Sequence, residues 1–216
     1  MKNIMFLIVT MFILISADTG FSQDTLTASR YKTIRKNFPQ FNYDLTKIES
    51  FDKSIYNSTM GMIDKKVLDK FEKYNRESQE NVDYKSYFEV SILKLETEAI
   101  VLSGIYKISK EDEKSYIKTK IINILELAFF RREEFRSNEL KEIQTKVKEI
   151  EAKEKDDPFK EMKDPDFPFN SNKVKEDKDK ISDLKKQISK LDEILKTRKD
   201  NKDRIINQKL LELINN

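Results

Sequence analysis

The sequence predicts an all-α protein: a helical bundle followed by a long antiparallel, coiled-coil-like helical hairpin. Turn-forming residues are scarce, with 3 glycines and 4 prolines in 216 residues, whereas a sheet protein of this size needs many. Apolar residues recur every three or four positions, which is the helical period. The segment 138–216 holds 20 basic and 19 acidic side chains, and such dense charge is typical of solvated helices that share a narrow apolar seam.

The first 22 residues have the layout of a secretory signal peptide. Lys2 opens the chain, a nearly continuous apolar run of 12 residues covers 4–15, and the small residues Gly20 and Ser22 precede Gln23. The run is shorter than the roughly 20 residues that a membrane span needs. We therefore expect cleavage before Gln23, no stable membrane span in the mature chain, and an exported bacterial protein, either periplasmic or secreted.

Residues 23–136 are predicted to form the helical bundle. Apolar spacing and N-cap residues predict helices over about 24–37, 44–74 and 83–108, followed by a fourth that opens at Ser109 with a capping-box-like pattern. In the second helix, the segment 57–61 is the weak point where we expect a kink or short break.

The small pair Ser103-Gly104 lies inside the third predicted helix. Small side chains let a neighbouring helix approach closely, but a glycine is also a local weakness of about 1 kcal/mol, so both interpretations stand. The stretch 121–130 is the most apolar of the mature chain. Because it is ten residues long, we interpret it as a core helix and not as a membrane span.

Residues 137–216 are predicted to form the highly charged hairpin. Aliphatic residues recur with a 3-4 rhythm on both sides of a proline-rich break, and the two arms, 113–156 and 173–215, would each extend about 65 Å. Arms of equal length favour antiparallel pairing within the chain. The heptad phase slips between Phe135 and Leu140, which makes a bend there conceivable.

The connector 156–172 between the arms is rich in proline and phenylalanine and is the segment that most resembles a binding site. It carries four large apolar side chains that a purely solvated linker would avoid: Phe159, Met162, Phe167 and Phe169. Two interpretations are open. Either these side chains contact a protein partner, or they fold back and cap the open end of their own hairpin.

Composition removes several chemistries from consideration. The chain has no cysteine and no histidine, which excludes thiol catalysis, histidine-dependent triads and the usual zinc ligands. The candidate acid-base groups are Glu126 with Asn123, and Glu96 with Glu98, although such residues more often mark a helix edge or an ion pair. We predict no catalytic residue, no metal and no cofactor.

The charge balance argues against nucleic-acid binding. The 42 basic residues are offset by 39 acidic ones, the two signs are mixed along the chain, and 34 of the basic residues are lysine. A nucleic-acid-binding protein gathers basic charge on one face and favours arginine.

The sequence therefore predicts an exported, non-enzymatic interaction or adaptor protein that contacts a protein partner through its hairpin or bundle surface. One alternative is an oligomeric periplasmic chaperone-like or structural coiled-coil component, with the arms packing between copies of the chain. In outline, the charged region 138–216 is similar to Skp-type periplasmic chaperones, from which the helical region 24–136 departs. A second alternative is a histidine-free enzyme that depends on carboxylates.

Overall fold

A computed structural model describes residues 27–80, 84–155 and 169–215, except for the side chains of 154–155 and 169–175. Within these ranges 97% of the residues are helical and none belongs to a strand. The predicted all-α class is therefore confirmed. The four side chains singled out in the connector lie outside this description: Phe159, Met162 and Phe167 fall in the gap, and Phe169 is described by its backbone alone.

The helices follow one another with short connections. Helix α1 covers 27–37, and a 3-10 turn, Pro39–Phe41, leads into α2. A π-helical turn, Asp64–Leu68, joins α3 to α4. The remaining bounds are α2 Asn42–Phe51, α3 Lys53–Ile63, α4 Asp69–Glu80, α5 Tyr84–Ile108, α6 Glu111–Lys155, α7 Phe169–Asp200 and α8 Lys202–Asn215.

The chain divides into two compact units. The first takes the described residues up to Ile124 together with the residues from Leu211 onward, and the second is Leu125–Leu210. The division therefore falls inside α6 and α8.

The core of the first unit is built around α5, which packs against α2, α3 and α4. Gly104 of α5 is the point of closest approach, since a Cβ atom added there would lie 2.7 Å from both Ile48 Cδ1 and Thr59 Oγ1. The interpretation of Gly104 as a helix-packing residue is thereby confirmed. Large apolar side chains fill the rest of this core and are less than 2% exposed: Phe38, Ile34, Leu45, Ile48, Met60, Ile63, Leu68, Ile92, Leu93, Ile121, Val67 and Val101.

The second helix breaks earlier than its sequence suggests. We expected a weak point at 57–61, but those residues lie inside α3, and the break falls at Asp52. Asp52 adopts an extended backbone (φ −152°, ψ 108°), and its Oδ1 accepts hydrogen bonds from the amides of Ser54 at 2.8 Å and Ile55 at 3.0 Å. A local N-cap therefore decides the boundary, because it satisfies amides that an uninterrupted helix would use internally.

The π-helical turn between α3 and α4 is fastened by Arg30 of α1. The Arg30 guanidinium bonds to Asp64, which opens the turn, and donates to Asp69, which follows it, at 2.8 Å. These acids raise the pKa of Arg30, so the guanidinium stays charged. One planar side chain thus ties α1 to both ends of the widened turn.

Helix boundaries after α5 also differ in detail from expectation. Ser109 is not the N-cap of the next helix, because its hydroxyl donates backwards to the Ile105 carbonyl at 2.8 Å. Helix α6 is continuous through 135–140, from Glu111 to Lys155. The second arm, expected as one helix, is interrupted at Asn201, whose side-chain amide donates to the Thr197 carbonyl at 2.7 Å.

None of the helices in the described ranges is both long and apolar enough to cross a membrane.

Candidate interaction surface

Helix α2 has two contrasting faces. Leu45 and Ile48 are fully buried on the inner face. On the outer side, Tyr43 is 81% exposed and Phe51 is 71% exposed. Tyr43, Lys47 and Phe51 follow one another at steps of four residues and therefore lie along one stripe of the helix. We call this stripe the α2 aromatic face.

The exposure of Phe51 departs from its helical spacing. Phe51 follows Leu45 and Ile48 at steps of three residues, which would place it on the inner side of an uninterrupted helix. Because α2 ends at Phe51 and the chain turns at Asp52, the ring is left outside the core. Exposing an aromatic ring forgoes roughly 1.5–3 kcal/mol of burial free energy. A surface that carries two such rings is the kind that protein partners cover.

Arg35 of α1 holds α2 in place. Its Nη1 donates to Thr46 Oγ1 at 3.0 Å, and its Nη2 donates to Glu49 Oε2 at 2.7 Å. The same guanidinium lies 5.4 Å from the centre of the Tyr56 ring in α3. Since both acceptors belong to α2 and the ring belongs to α3, Arg35 fixes the two helices on either side of the break.

The start of α2 is anchored in the core. Phe38 is fully buried, and its ring centre lies 4.5 Å from that of Phe71 in α4. Phe41, the last residue of the 3-10 turn, is also buried. A helix held at its start by these rings and along its length by Arg35 presents Tyr43 and Phe51 from a fixed support.

Further large side chains are exposed on other helices. The stretch 121–130 was interpreted as a core helix, but Leu127 is 47% exposed and Phe130 is 54% exposed. The Phe130 ring is partly covered by Lys202, whose Nζ lies 4.5 Å from the ring centre. Tyr84, Tyr87 and Tyr116 complete the exposed aromatic residues of the described ranges beyond α2.

The acid-base candidates named from the sequence lie on α5 and α6. Glu126 is half-buried and pairs with Lys202, with 2.9 Å between its Oε1 and the lysine Nζ, whereas Asn123 is exposed. This pairing favours the interpretation of Glu126 as a structural partner of a lysine. Glu96 and Glu98 are both half-buried on α5.

Glu98 is the carboxylate with a shifted pKa in this group. Burial raises its pKa, the charge of Asp44 raises it further, and Lys120 opposes the shift. Lys120 also lies 4.6 Å from the centre of the exposed Tyr116 ring. Glu98 is thus a partly desolvated acid that borders α2 and α6 within the first unit.

The raised pKa of Glu98 predicts a pH-dependent cost to stability. A carboxyl whose folded pKa lies above its unfolded value holds its proton more tightly when folded, so folding loses stability as pH rises through that range. We expect Glu98→Gln to raise the free energy of unfolding at pH 7, and the gain to vanish near pH 4. Urea denaturation at both pH values measures this, with Glu89→Gln on the same helix as the control. A gain that is equal at both pH values would contradict the assignment.

In the second unit, two arginines share one acid. Glu133 Oε1 accepts from Arg136 Nη1 at 3.0 Å and from Arg198 Nε at 2.6 Å, which joins α6 to α7. Burial lowers the pKa of Arg136, and the neighbouring charges of Arg198 and Arg132 lower it further. We call Glu133, Arg136 and Arg198 the Glu133 arginine cluster.

Neither surface was found from the sequence. The helical spacing of Phe51 gave no sign of the α2 aromatic face, because the same spacing occurs on the buried and on the exposed side of a helix. The sequence does show that arginine is locally dense next to Glu133. Arginine makes up 8 of the 42 basic residues, yet three of the eight fall within six positions: Arg131, Arg132 and Arg136.

Within the described residues, no group of three or more acidic side chains is arranged to hold a metal ion. Comparisons of the chain with protein-family models, curated proteins and solved structures give no match.

Proposed function

We propose that this chain is an exported, non-enzymatic interaction protein that binds a protein partner through the α2 aromatic face. The observation that carries the proposal is the exposure of Tyr43 and Phe51 on a helix that buried aromatic rings and Arg35 hold in place. Aromatic side chains on a rigid support supply binding energy without a large ordering cost. The signal-peptide layout of the first 22 residues supports export.

The charged second half is proposed to form the antiparallel hairpin. Three ion pairs between its helices support this: Glu151 with Lys185 at 2.9 Å, Glu133 with Arg198 at 2.6 Å, and Glu126 with Lys202 at 2.9 Å. The residue number falls along one helix as it rises along the other, which is the order that antiparallel neighbours give. The connector residues Phe159, Met162, Phe167 and Phe169 remain proposed as a second contact with the partner.

The test compares three variants of the mature chain as baits in a cross-linked pull-down from envelope extract. Tyr43→Ala/Phe51→Ala removes the α2 aromatic face. Tyr87→Ala/Tyr116→Ala removes two other rings that are 70% and 64% exposed. A triple change of Phe159, Phe167 and Phe169 to Ala tests the connector. A central aromatic anchor contributes about 2 kcal/mol or more, so the loss of even one should weaken binding about thirtyfold. We therefore expect the first variant, which removes two rings, to bind its captured partner at least about thirtyfold more weakly.

Circular dichroism of each variant controls for folding. Retained capture by a helical Tyr43→Ala/Phe51→Ala variant would contradict the α2 aromatic face as the binding surface. Loss in the connector variant alone would transfer the role to the hairpin tip. Equal loss of partner capture by Tyr43→Ala/Phe51→Ala and by Tyr87→Ala/Tyr116→Ala would show that exposed aromatic rings bind the partner without selectivity for α2.

An oligomeric assembly is the second candidate, and the exposure of the apolar seam favours it. Val147 and Ile181 are 6% and 8% exposed, whereas most other seam positions stay half-buried: Leu140, Ile143, Ile150, Leu184, Ile188, Leu191 and Leu195. A further helix from a second copy would complete such a seam. Light scattering during gel filtration separates the candidates, since a mass equal to one chain excludes the oligomer.

A further inference from the structure

A single lysine lies in the middle of the α2 aromatic face. Lys47 follows Tyr43 by four residues and precedes Phe51 by four, and it is exposed as both rings are. The rings therefore stand about 12 Å apart along the helix axis, with Lys47 midway between them. A partner that covers both rings must also cover the side chain of Lys47.

The ammonium group of Lys47 forms no ion pair with any residue that the structure describes. It is the one cation of α2, and the nearby acids have other contacts. Glu49 Oε2 accepts from Arg35 at 2.7 Å, and Asp52 accepts from two backbone amides of α3. Asp44 is half-buried, and its charge raises the pKa of an acid on α5.

Covering the α2 aromatic face would take water away from this ammonium group. Burial of an unpaired charge is strongly unfavourable. A carboxylate on the partner would instead supply a counter-charge and a charge-assisted hydrogen bond. Lys47 therefore favours a partner that places a carboxylate between its contacts with the two rings.

A row of small side chains lies next to the α2 aromatic face. Thr46 and Ser50 are exposed and four residues apart. Thr46 Oγ1 accepts from Arg35 Nη1 at 3.0 Å, and Ser50 Oγ donates to the Lys47 carbonyl at 2.9 Å. Because each hydroxyl already has a partner within the chain, covering this row costs less than covering free hydroxyls. A row of small side chains beside a row of large ones forms a groove of the kind into which a second helix packs.

We propose that the α2 aromatic face binds an amphipathic helix of the protein partner, and that this helix carries one carboxylate within its apolar stripe. Apolar side chains of the helix would contact the rings of Tyr43 and Phe51, and its Asp or Glu would pair with Lys47. This assignment rests on the proposed function, because it names the segment of the partner that the same surface accepts.

Fluorescence polarisation with two synthetic peptides and the mature chain tests the proposal. Both peptides are helices of about 20 residues, made of alanine and glutamine with a leucine stripe along one face. They differ at one position in the middle of this stripe, which is glutamate in one peptide and lysine in the other. We expect saturable binding of the glutamate peptide and at least about tenfold weaker binding of the lysine peptide.

Substitutions of Lys47 assign this preference to one side chain. Lys47→Glu should reverse the order of the two peptides, and Lys47→Gln should bring their affinities within about threefold of each other. The matched control is Lys70→Glu, which makes the same charge change at an exposed position of α4 in the first unit. It should alter the preference by less than about twofold. Circular dichroism checks that each variant folds, and Lys47→Gln decides if Lys47→Glu does not.

Three results would overturn the proposal. They are the absence of saturable binding of the glutamate peptide, equal affinity of the wild-type chain for the two peptides, and an equal effect of Lys70→Glu and Lys47→Glu on the preference. Failure of the proposed function is seen elsewhere, as retained capture by Tyr43→Ala/Phe51→Ala in the pull-down. If the wild-type chain binds both peptides equally and that double variant binds neither, the acidic helix is ruled out while the α2 aromatic face remains a binding surface.

Discussion

Phe38→Ala is expected to lower the free energy of unfolding of the mature chain by about 3–5 kcal/mol, the usual cost of emptying a buried phenylalanine position. Phe38 is fully buried, and its ring packs against Phe71 at 4.5 Å. The cavity would lie where α1, the 3-10 turn and α4 meet, and these rigid elements cannot easily close around it. Urea denaturation followed by circular dichroism measures the change.

Phe51→Ala is the matched control for this prediction. It deletes the same side chain from a position that is 71% exposed, so the free energy of unfolding should change by less than about 0.5 kcal/mol. Similar losses in the two variants would contradict either the burial of Phe38 or the exposure of Phe51. If Phe51→Ala leaves stability unchanged, a loss of partner binding in the pull-down cannot be attributed at this position to unfolding of the protein.

Gly104→Ala is expected to destabilise the protein by about 1–3 kcal/mol through overpacking, although alanine is the better helix former. A Cβ atom there would come within 2.7 Å of Ile48 Cδ1 and Thr59 Oγ1, and both side chains are fully buried. Thr59 is further restrained, because its hydroxyl donates to the Ile55 carbonyl at 2.8 Å. The α2, α3 and α5 backbones must therefore separate to accept one methyl group.

For Gly61, the other glycine of the predicted mature chain, we expect substitution by alanine to have the opposite effect on stability. No atom lies within 4 Å of the Cβ position at Gly61, which belongs to α3. The substitution should stabilise the protein by about 0.5–1 kcal/mol, through helix propensity and a less flexible unfolded chain. Calorimetric melting of the two variants should give shifts of opposite sign, and a shared sign would contradict the close approach at Gly104.

The site could be predicted less well than the fold. The helix ends at Asn37 and Ile108 were predicted correctly, because Pro39 closely follows the first and seven polar residues, 109–115, follow the second. The division of the second helix was misplaced because Asp52 acts through its own side chain, and the glycine at 61 was a more visible signal than a single acid. The α2 aromatic face depends on that division, so it could not be predicted without it.

The sequence alone determined the helical class of the protein. Its apolar residues recur at the helical period, and it has too few turn residues for the many turns that a sheet protein needs. Tertiary structure decided which residues face water. It placed Phe38 inside and Phe51 outside, made Gly104 a contact point and left Gly61 in open space. It also brought Arg198 to Glu133 across 65 positions of sequence. The physical reason is that helical period is a local property, whereas burial, close approach and charge clustering depend on which helices meet.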